Sequence, residues 1–125
     1  MTSVQSRKQT VLVVDDDAVL RDIMARALTD EGFDVLTAGD GEQALAIAST
    51  LGGQLALVVT DIRMAGMDGL ELASRLACLE FPPPVLFISG FTTERNIPGP
   101  LLTKPFGPTA FLEQIGRMLP SVQHH

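Results

Sequence analysis

Side chains able to do chemistry stand directly after short apolar runs at four places in the chain. Asp15-Asp16-Asp17 follows Val11-Leu12-Val13-Val14, Asp61 follows the run Leu55 to Thr60, Ser89 follows Val85 to Ile88, and Lys104 closely follows Leu101-Leu102. Carboxylates gathered in one place repel one another, and some of their pKa values rise unless a cation sits among them. A set of acids with no histidine or cysteine suits Mg²⁺ better than zinc, because Mg²⁺ takes oxygen ligands and keeps several waters. A carboxylate is deprotonated at neutral pH and can attack phosphorus without a general base. Lysine supplies a point cation and serine a hydroxyl for the phosphoryl oxygens. Together these residues are the parts of phosphoryl transfer to an aspartate.

Each residue also has a plain structural reading. Acids at a helix start cap it and favour its dipole, and Asp17 fits that use, but three in a row exceed what capping requires. Asp61 alone reads equally as an Asx turn leaving a strand. Lys104 is the only lysine inside the domain, the other being Lys8 in the N-terminal tail, and an isolated lysine is ordinarily a solvated one. Ser89 with Gly90 would make a loop turn. The weight lies in the set, since ligands of open α/β sheets bind at the carboxyl ends of the strands, where these residues fall.

The elements that must position them are legible from periodicity. Val11 to Val14 reads as a strand buried on both faces, and Val19, Leu20, Ile23, Met24, Ala27 and Leu28 line a first helix. Gly32 ends that helix, Phe33 to Thr37 is a second strand, and Ala44, Leu45, Ile47, Ala48 and Leu51 line a second helix closed by Gly52-Gly53. Leu55 to Thr60 is a third strand. Leu70, Leu72, Ala73, Leu76 and Ala77 form a third helix halted by Pro82-Pro83-Pro84, and Val85 to Ile88 is a fourth strand. A short strand at Leu101-Leu102 and a final helix with Phe111, Leu112, Ile115, Met118 and Leu119 complete the pattern. The alternation predicts an α/β fold with a parallel sheet, right-handed crossovers and helices on both faces. Pro98, Gly99 and Pro100 leave room for one helical turn around Thr92 to Asn96, so the fourth crossover is mostly loop.

A length of 125 residues, 46% of them hydrophobic, predicts one well-packed domain over 10–119, with tails at 1–9 and 120–125. The terminal His124 and His125 lack a third ligand and read as a tag remnant. A net charge of −6 and a pI of about 4.7 repel phosphate backbones, which argues against direct nucleic-acid binding. No apolar run approaches the ~18 residues of a membrane span, and no segment reads as a signal peptide. The lone Cys78 cannot form an internal disulfide and reads as a small buried hydrophobe, so a reducing cytoplasm is expected.

The segments Val11-Leu12-Val13-Val14-Asp15-Asp16-Asp17, Val58-Val59-Thr60-Asp61-Ile62-Arg63-Met64, Met67-Asp68-Gly69, Phe87-Ile88-Ser89-Gly90 and Leu102-Thr103-Lys104-Pro105-Phe106, in that order, resemble the receiver domain of two-component response regulators. The resemblance runs over residues 10–119 and implies a doubly wound, flavodoxin-like sheet of strand order 2-1-3-4-5, with a shortened or irregular fourth helix. It implies that Asp61 is the phosphoacceptor, that Asp16 ligates Mg²⁺ directly and Asp15 indirectly, and that the backbone carbonyl of Arg63 completes the metal site. Ser89 and Lys104 would hold the phosphoryl group, and the Lys104-Pro105 bond would be cis. The donor would be a phosphohistidine on a sensor histidine kinase or histidine phosphotransfer protein, and the output a contact with a downstream protein. The chain would be a stand-alone regulator or a receiver module of a hybrid kinase, and its only catalysis would be its own phosphorylation and dephosphorylation.

Three positions depart from the family pattern. Ala65 replaces the usual proline four residues after the acceptor, Leu101 replaces the usual aromatic three residues before the lysine, and only 14 residues separate Ser89 from Lys104. Two other functions fit parts of the sequence. Asp15-Asp16-Asp17-Ala18-Val19 matches the Asp-x-Asp-x-Val of haloacid-dehalogenase-type phosphatases, with Asp15 as nucleophile and Asp17 as acid, but a late acidic pair is missing after Lys104. A receiver-like module that binds partners without phosphorylation is the other.

Overall fold

A computed structural model describes residues 8–90 and 96–119. Five parallel strands, β1 (Thr10–Val14), β2 (Asp34–Ala38), β3 (Leu55–Asp61), β4 (Val85–Ser89) and β5 (Leu101–Thr103), form one sheet of order β2-β1-β3-β4-β5. The helices are α1 (Ala18–Asp30), α2 (Gly41–Leu51), α3 (Gly69–Leu76) and α4 (Pro108–Met118), with one 3₁₀ turn at Gly52–Gln54. This is the doubly wound arrangement and strand order predicted above. β2 lies one residue later than expected, because Phe33 donates its N–H to Leu28 and is buried in the turn out of α1.

The near-continuous apolar strands are explained by two cores. Val11, Val13, Leu57, Val59, Leu86 and Ile88 face one way, against Met24 and Leu28 of α1 and Phe111 and Ile115 of α4. Leu12, Val14 and Val58 face the other, against Ala44 and Ala48 of α2 and Leu72 and Leu76 of α3. Alternate residues of one strand thus serve opposite layers, as a sheet covered on both faces requires. A register shift between Thr10 and Val11 against β3 lets Leu55 and Leu57 serve different layers despite their spacing of two.

Two packing expectations are corrected. Of the six apolar residues assigned to the inner face of α1, Met24 and Leu28 are buried and Leu20 and Ala27 pack against the core, but Val19 and Ile23 are 70% and 53% exposed. Cys78 is exposed rather than buried, since α3 ends at Leu76 and the chain turns away after Ala77. The turn expected at Thr92 to Asn96 lies outside the described residues except for Asn96, which has φ 59°. The described remainder of that crossover, residues 97–100, carries no helix or strand.

Candidate functional site

The topology brings the chemistry-bearing residues to one place. Strand order reverses between β1 and β3, and the pairing of Val14 with Thr60 sets Asp15 beside Asp61 at the carboxyl edge. On the other side of β3, Asp61 pairs with Ile88, so Ser89 emerges next. Ser89 pairs with Thr103, and its carbonyl accepts the Lys104 N–H at 2.7 Å.

One carboxylate oxygen from each of Asp15, Asp16 and Asp61 lies within 4.8 Å of the others. Asp15 is fully buried; its Oδ1 accepts the Asp17 N–H at 2.9 Å, and Oδ2 has no hydrogen-bond partner. Burial, partly opposed by that hydrogen bond and reinforced by the charge of Asp61, pushes the Asp15 carboxyl up to about 6. Lys104 lowers it and Asp16 raises it further, both as smaller effects. A buried carboxylate with one oxygen unpartnered, grouped with two more acids, is the environment a hard divalent cation relieves. The residues present therefore fit Mg²⁺.

Asp61 is 6% exposed and both its oxygens are engaged. Oδ2 pairs with Lys104 Nζ at 3.1 Å, and Oδ1 accepts the Arg63 N–H at 3.3 Å. The Asx turn and the acidic site are thus two aspects of one residue. The Lys104-Pro105 peptide is cis. Ser89 is buried at the end of β4 and is itself engaged in an interaction. Asp16 is exposed, and its Oδ2 accepts the Ala65 N–H at 3.4 Å, which ties the β3–α3 loop to the acidic group. Asp17 stands apart from the other two acids of its run. It caps α1, accepting from the N–H groups of Val19 at 3.0 Å and Leu20 at 3.3 Å.

Three residues to which the sequence reading assigned no role join the site. Thr60, fully buried, donates its hydroxyl to the Asp61 carbonyl at 2.9 Å. Gly69 opens α3 so close to β3 that a Cβ there would land on the Asp61 carbonyl oxygen, and its N–H donates to Ile62 at 2.8 Å. Arg21 of α1 donates from Nη1 to the Asp15 carbonyl at 2.8 Å. Gly69 and Thr60 stand in segments that carry the family resemblance, and an Asp-Gly pair ahead of a helical period is the signal that could have marked the tight entry into α3; nothing in the sequence marked Arg21.

The family model of the response regulator receiver domain matches residues 11–99. The chain belongs to this family. The transcriptional regulatory protein TcrA of Mycobacterium tuberculosis is 39% identical over 103 residues, which are 77% of this chain and 40% of that protein. The sensor kinase CckA of Brucella abortus is 34% identical over 121 residues, 91% of this chain and 13% of that one. The chain therefore spans well under half the length of these two relatives. The crystal structure of the receiver domain from the hybrid histidine kinase CckA superposes with a TM-score of 0.79 at 34% identity, covering 88% of this chain and 98% of that one. Among the described residues, no helix is long and apolar enough to cross a membrane.

Proposed function

We propose that this receiver domain, spanning residues 10–119, accepts a phosphoryl group on Asp61 from a phosphohistidine of a sensor histidine kinase or histidine phosphotransfer protein. The observation that carries this reading is the setting of Asp61: a nearly buried carboxylate with Lys104 at 3.1 Å and two further acids within 4.8 Å. A carboxylate oxygen of Asp61 attacks phosphorus, the new oxygen–phosphorus bond replacing the phosphorus–nitrogen bond of the donor, and the released imidazole takes up a proton. Asp16, Asp61 and the Arg63 carbonyl would hold Mg²⁺, with Asp15 acting indirectly. When bound, the ion supplies positive charge against the phosphoryl oxygens.

The chain's own residues do the rest. Lys104, resting on the acceptor carboxylate, is placed to follow the negative charge onto the phosphoryl oxygens, and the Ser89 hydroxyl is one residue beyond the strand partner of Asp61. The Arg63 N–H orients Asp61. A protein donor is supported by the rim. The exposed apolar side chains Val19 and Ile23 border a recess shared with Asp17, Lys104, Pro105 and Phe106, beside the reacting carboxylate. The downstream partner is a protein rather than nucleic acid, given the charge of −6, and the cytoplasm is the compartment of such an exchange.

The phosphatase alternative asks Asp15 to be a nucleophile and Asp17 an acid. Asp15 is fully buried and Asp17 is occupied in capping α1. Intact mass after incubation with acetyl phosphate and Mg²⁺ tests the proposal. One added phosphoryl group is expected on the parent and none on Asp61→Asn. Addition surviving in the variant would move the nucleophile, and a parent that takes up neither phosphoryl group nor Mg²⁺ would be a phosphorylation-independent interaction module.

A further inference from the structure

Arg21 stands in the first turn of α1 and reaches back, against the direction of the chain, to the backbone of the acidic run. Its Nη1 donates to the Asp15 carbonyl at 2.8 Å, and the side chain is part-buried. Of the other polar groups of Asp15, the N–H is held by the Ala38 carbonyl at 3.2 Å and Oδ1 by the Asp17 N–H at 2.9 Å, both backbone groups, while Oδ2 has no partner. Arg21 also lies against Gly39 in the β2–α2 connection, where a Cβ would stand 3.2 Å from the same Nη1. Gly39 is in turn fixed by Gln43, whose Oε1 accepts its N–H at 2.9 Å. The guanidinium is therefore wedged between two loops at the carboxyl edge of the sheet.

A peptide unit is planar, so a bond that fixes the carbonyl of Asp15 also fixes the N–H and the direction of Cα at Asp16. Asp16 needs that help. It is exposed, and the restraint on its carboxylate is a 3.4 Å bond from Ala65 in a neighbouring loop. The contact that Arg21 makes with Asp15 is to the carbonyl, so Arg21 works through the backbone of the acidic run. We propose that Arg21 is a positioning residue for the metal site: by clamping the Asp15–Asp16 peptide it aims the Asp16 carboxylate at the position a cation would occupy beside Asp61. This rests on reading the acidic group as a Mg²⁺ site.

Calorimetric Mg²⁺ titration of unphosphorylated protein, with the metal-free melting point and the Mg²⁺ dependence of phosphoryl uptake from acetyl phosphate, tests the role in Arg21→Met, Arg21→Lys and Gly39→Ala. Residues that orient a metal's ligands typically contribute 10–100-fold in affinity, so Arg21→Met is expected to bind Mg²⁺ at least about tenfold more weakly. Its metal-free melting point should stay near the parent's, and its phosphorylation rate should recover at saturating Mg²⁺. Arg21→Lys, which keeps a donor able to reach one carbonyl, restores most of the affinity. Gly39→Ala crowds the guanidinium while leaving Arg21 in place, and gives a smaller loss should Arg21→Met fail to fold. Parental Mg²⁺ affinity in Arg21→Met overturns the role, as does a loss that lysine does not reduce and that matches a fall in melting point. A parent that binds Mg²⁺ but takes no phosphoryl group would sink the phosphoacceptor reading alone, with the affinity comparison still deciding Arg21. A parent that binds no Mg²⁺ would sink both.

Discussion

Asp15 carries the main electrostatic cost of the site. It is fully buried, one of its oxygens has no partner, and burial together with the Asp61 charge raises its pKa to about 6. Asparagine keeps the oxygen that accepts the Asp17 N–H and replaces the unpartnered one with an uncharged donor. Asp15→Asn should therefore stabilise the metal-free protein at pH 7.5, by an amount bounded at about 3 kcal/mol by the raised pKa, while weakening Mg²⁺ binding. Thermal melts at pH 7.5 and pH 4 check this. The gain should shrink at pH 4, where the parent's Asp15 is already protonated, and a gain of equal size at both would mean charge is not its source. The acidic run, Asp61, Ser89 and Lys104 were legible in the sequence because each follows an apolar run at a strand end. The unequal fates of Asp15, Asp16 and Asp17 were only partly so: one is buried, one exposed and one spent on a helix cap, a division set by where β1 stops and α1 starts.

At the scale of elements, α3 is held against β3 by the absence of a side chain. A Cβ on Gly69 would fall on the Asp61 carbonyl oxygen and 2.9 Å from Ile62 Cα, both of them backbone atoms with no rotamer to yield. Gly69→Ala must push α3 away from β3 or displace the Asp61 peptide. Overpacking of this kind costs about 1–3 kcal/mol, and here the strain falls on the residue proposed as the phosphoacceptor. The expected result is a lower urea midpoint together with slower phosphoryl uptake at saturating Mg²⁺, and a variant that loses stability but is phosphorylated at the parental rate would show that α3 moves instead. Helical period found α1 but overstated its buried face. The six apolar residues read from the period of this 13-residue helix cover more of the circumference than one sheet can bury, and Val19 and Ile23, four apart, form the excess edge beside the site. The same limit explains Cys78. Its apolar neighbours extended the helix on paper, but α3 ends at Leu76, and with the helix goes the face that would have been buried.

For the molecule as a whole, two cores hold a sheet whose carboxyl edge gathers three acids within 4.8 Å, in a chain already at a net charge of −6. Alternating apolar runs were enough to read the two-layered packing, whereas the convergence of the acids depends on strand order and register, which periodicity does not encode and only the family resemblance supplied. On the proposed reading of the site, that convergence should couple stability to both pH and Mg²⁺. The folded chain holds a proton on Asp15 up to about pH 6, whereas an unfolded aspartate releases it near 3.9. Between those values the folded state binds more protons than the unfolded one, so this group's contribution to stability is full below the lower value, falls as pH rises and is lost above the higher one. A divalent cation has the opposite dependence, since it competes with that proton and binds the native cluster best once Asp15 is ionised. At a concentration about 100-fold above its dissociation constant, Mg²⁺ should add roughly 2.7 kcal/mol at pH 7.5. Melting points measured with and without Mg²⁺ from pH 4.5 to 8 should therefore diverge through the region near pH 6, the metal-free curve falling away from the Mg²⁺ curve. A gap of constant size across that range would separate Mg²⁺ binding from the protonation of Asp15 and place the ion away from the buried oxygen that now lacks a partner.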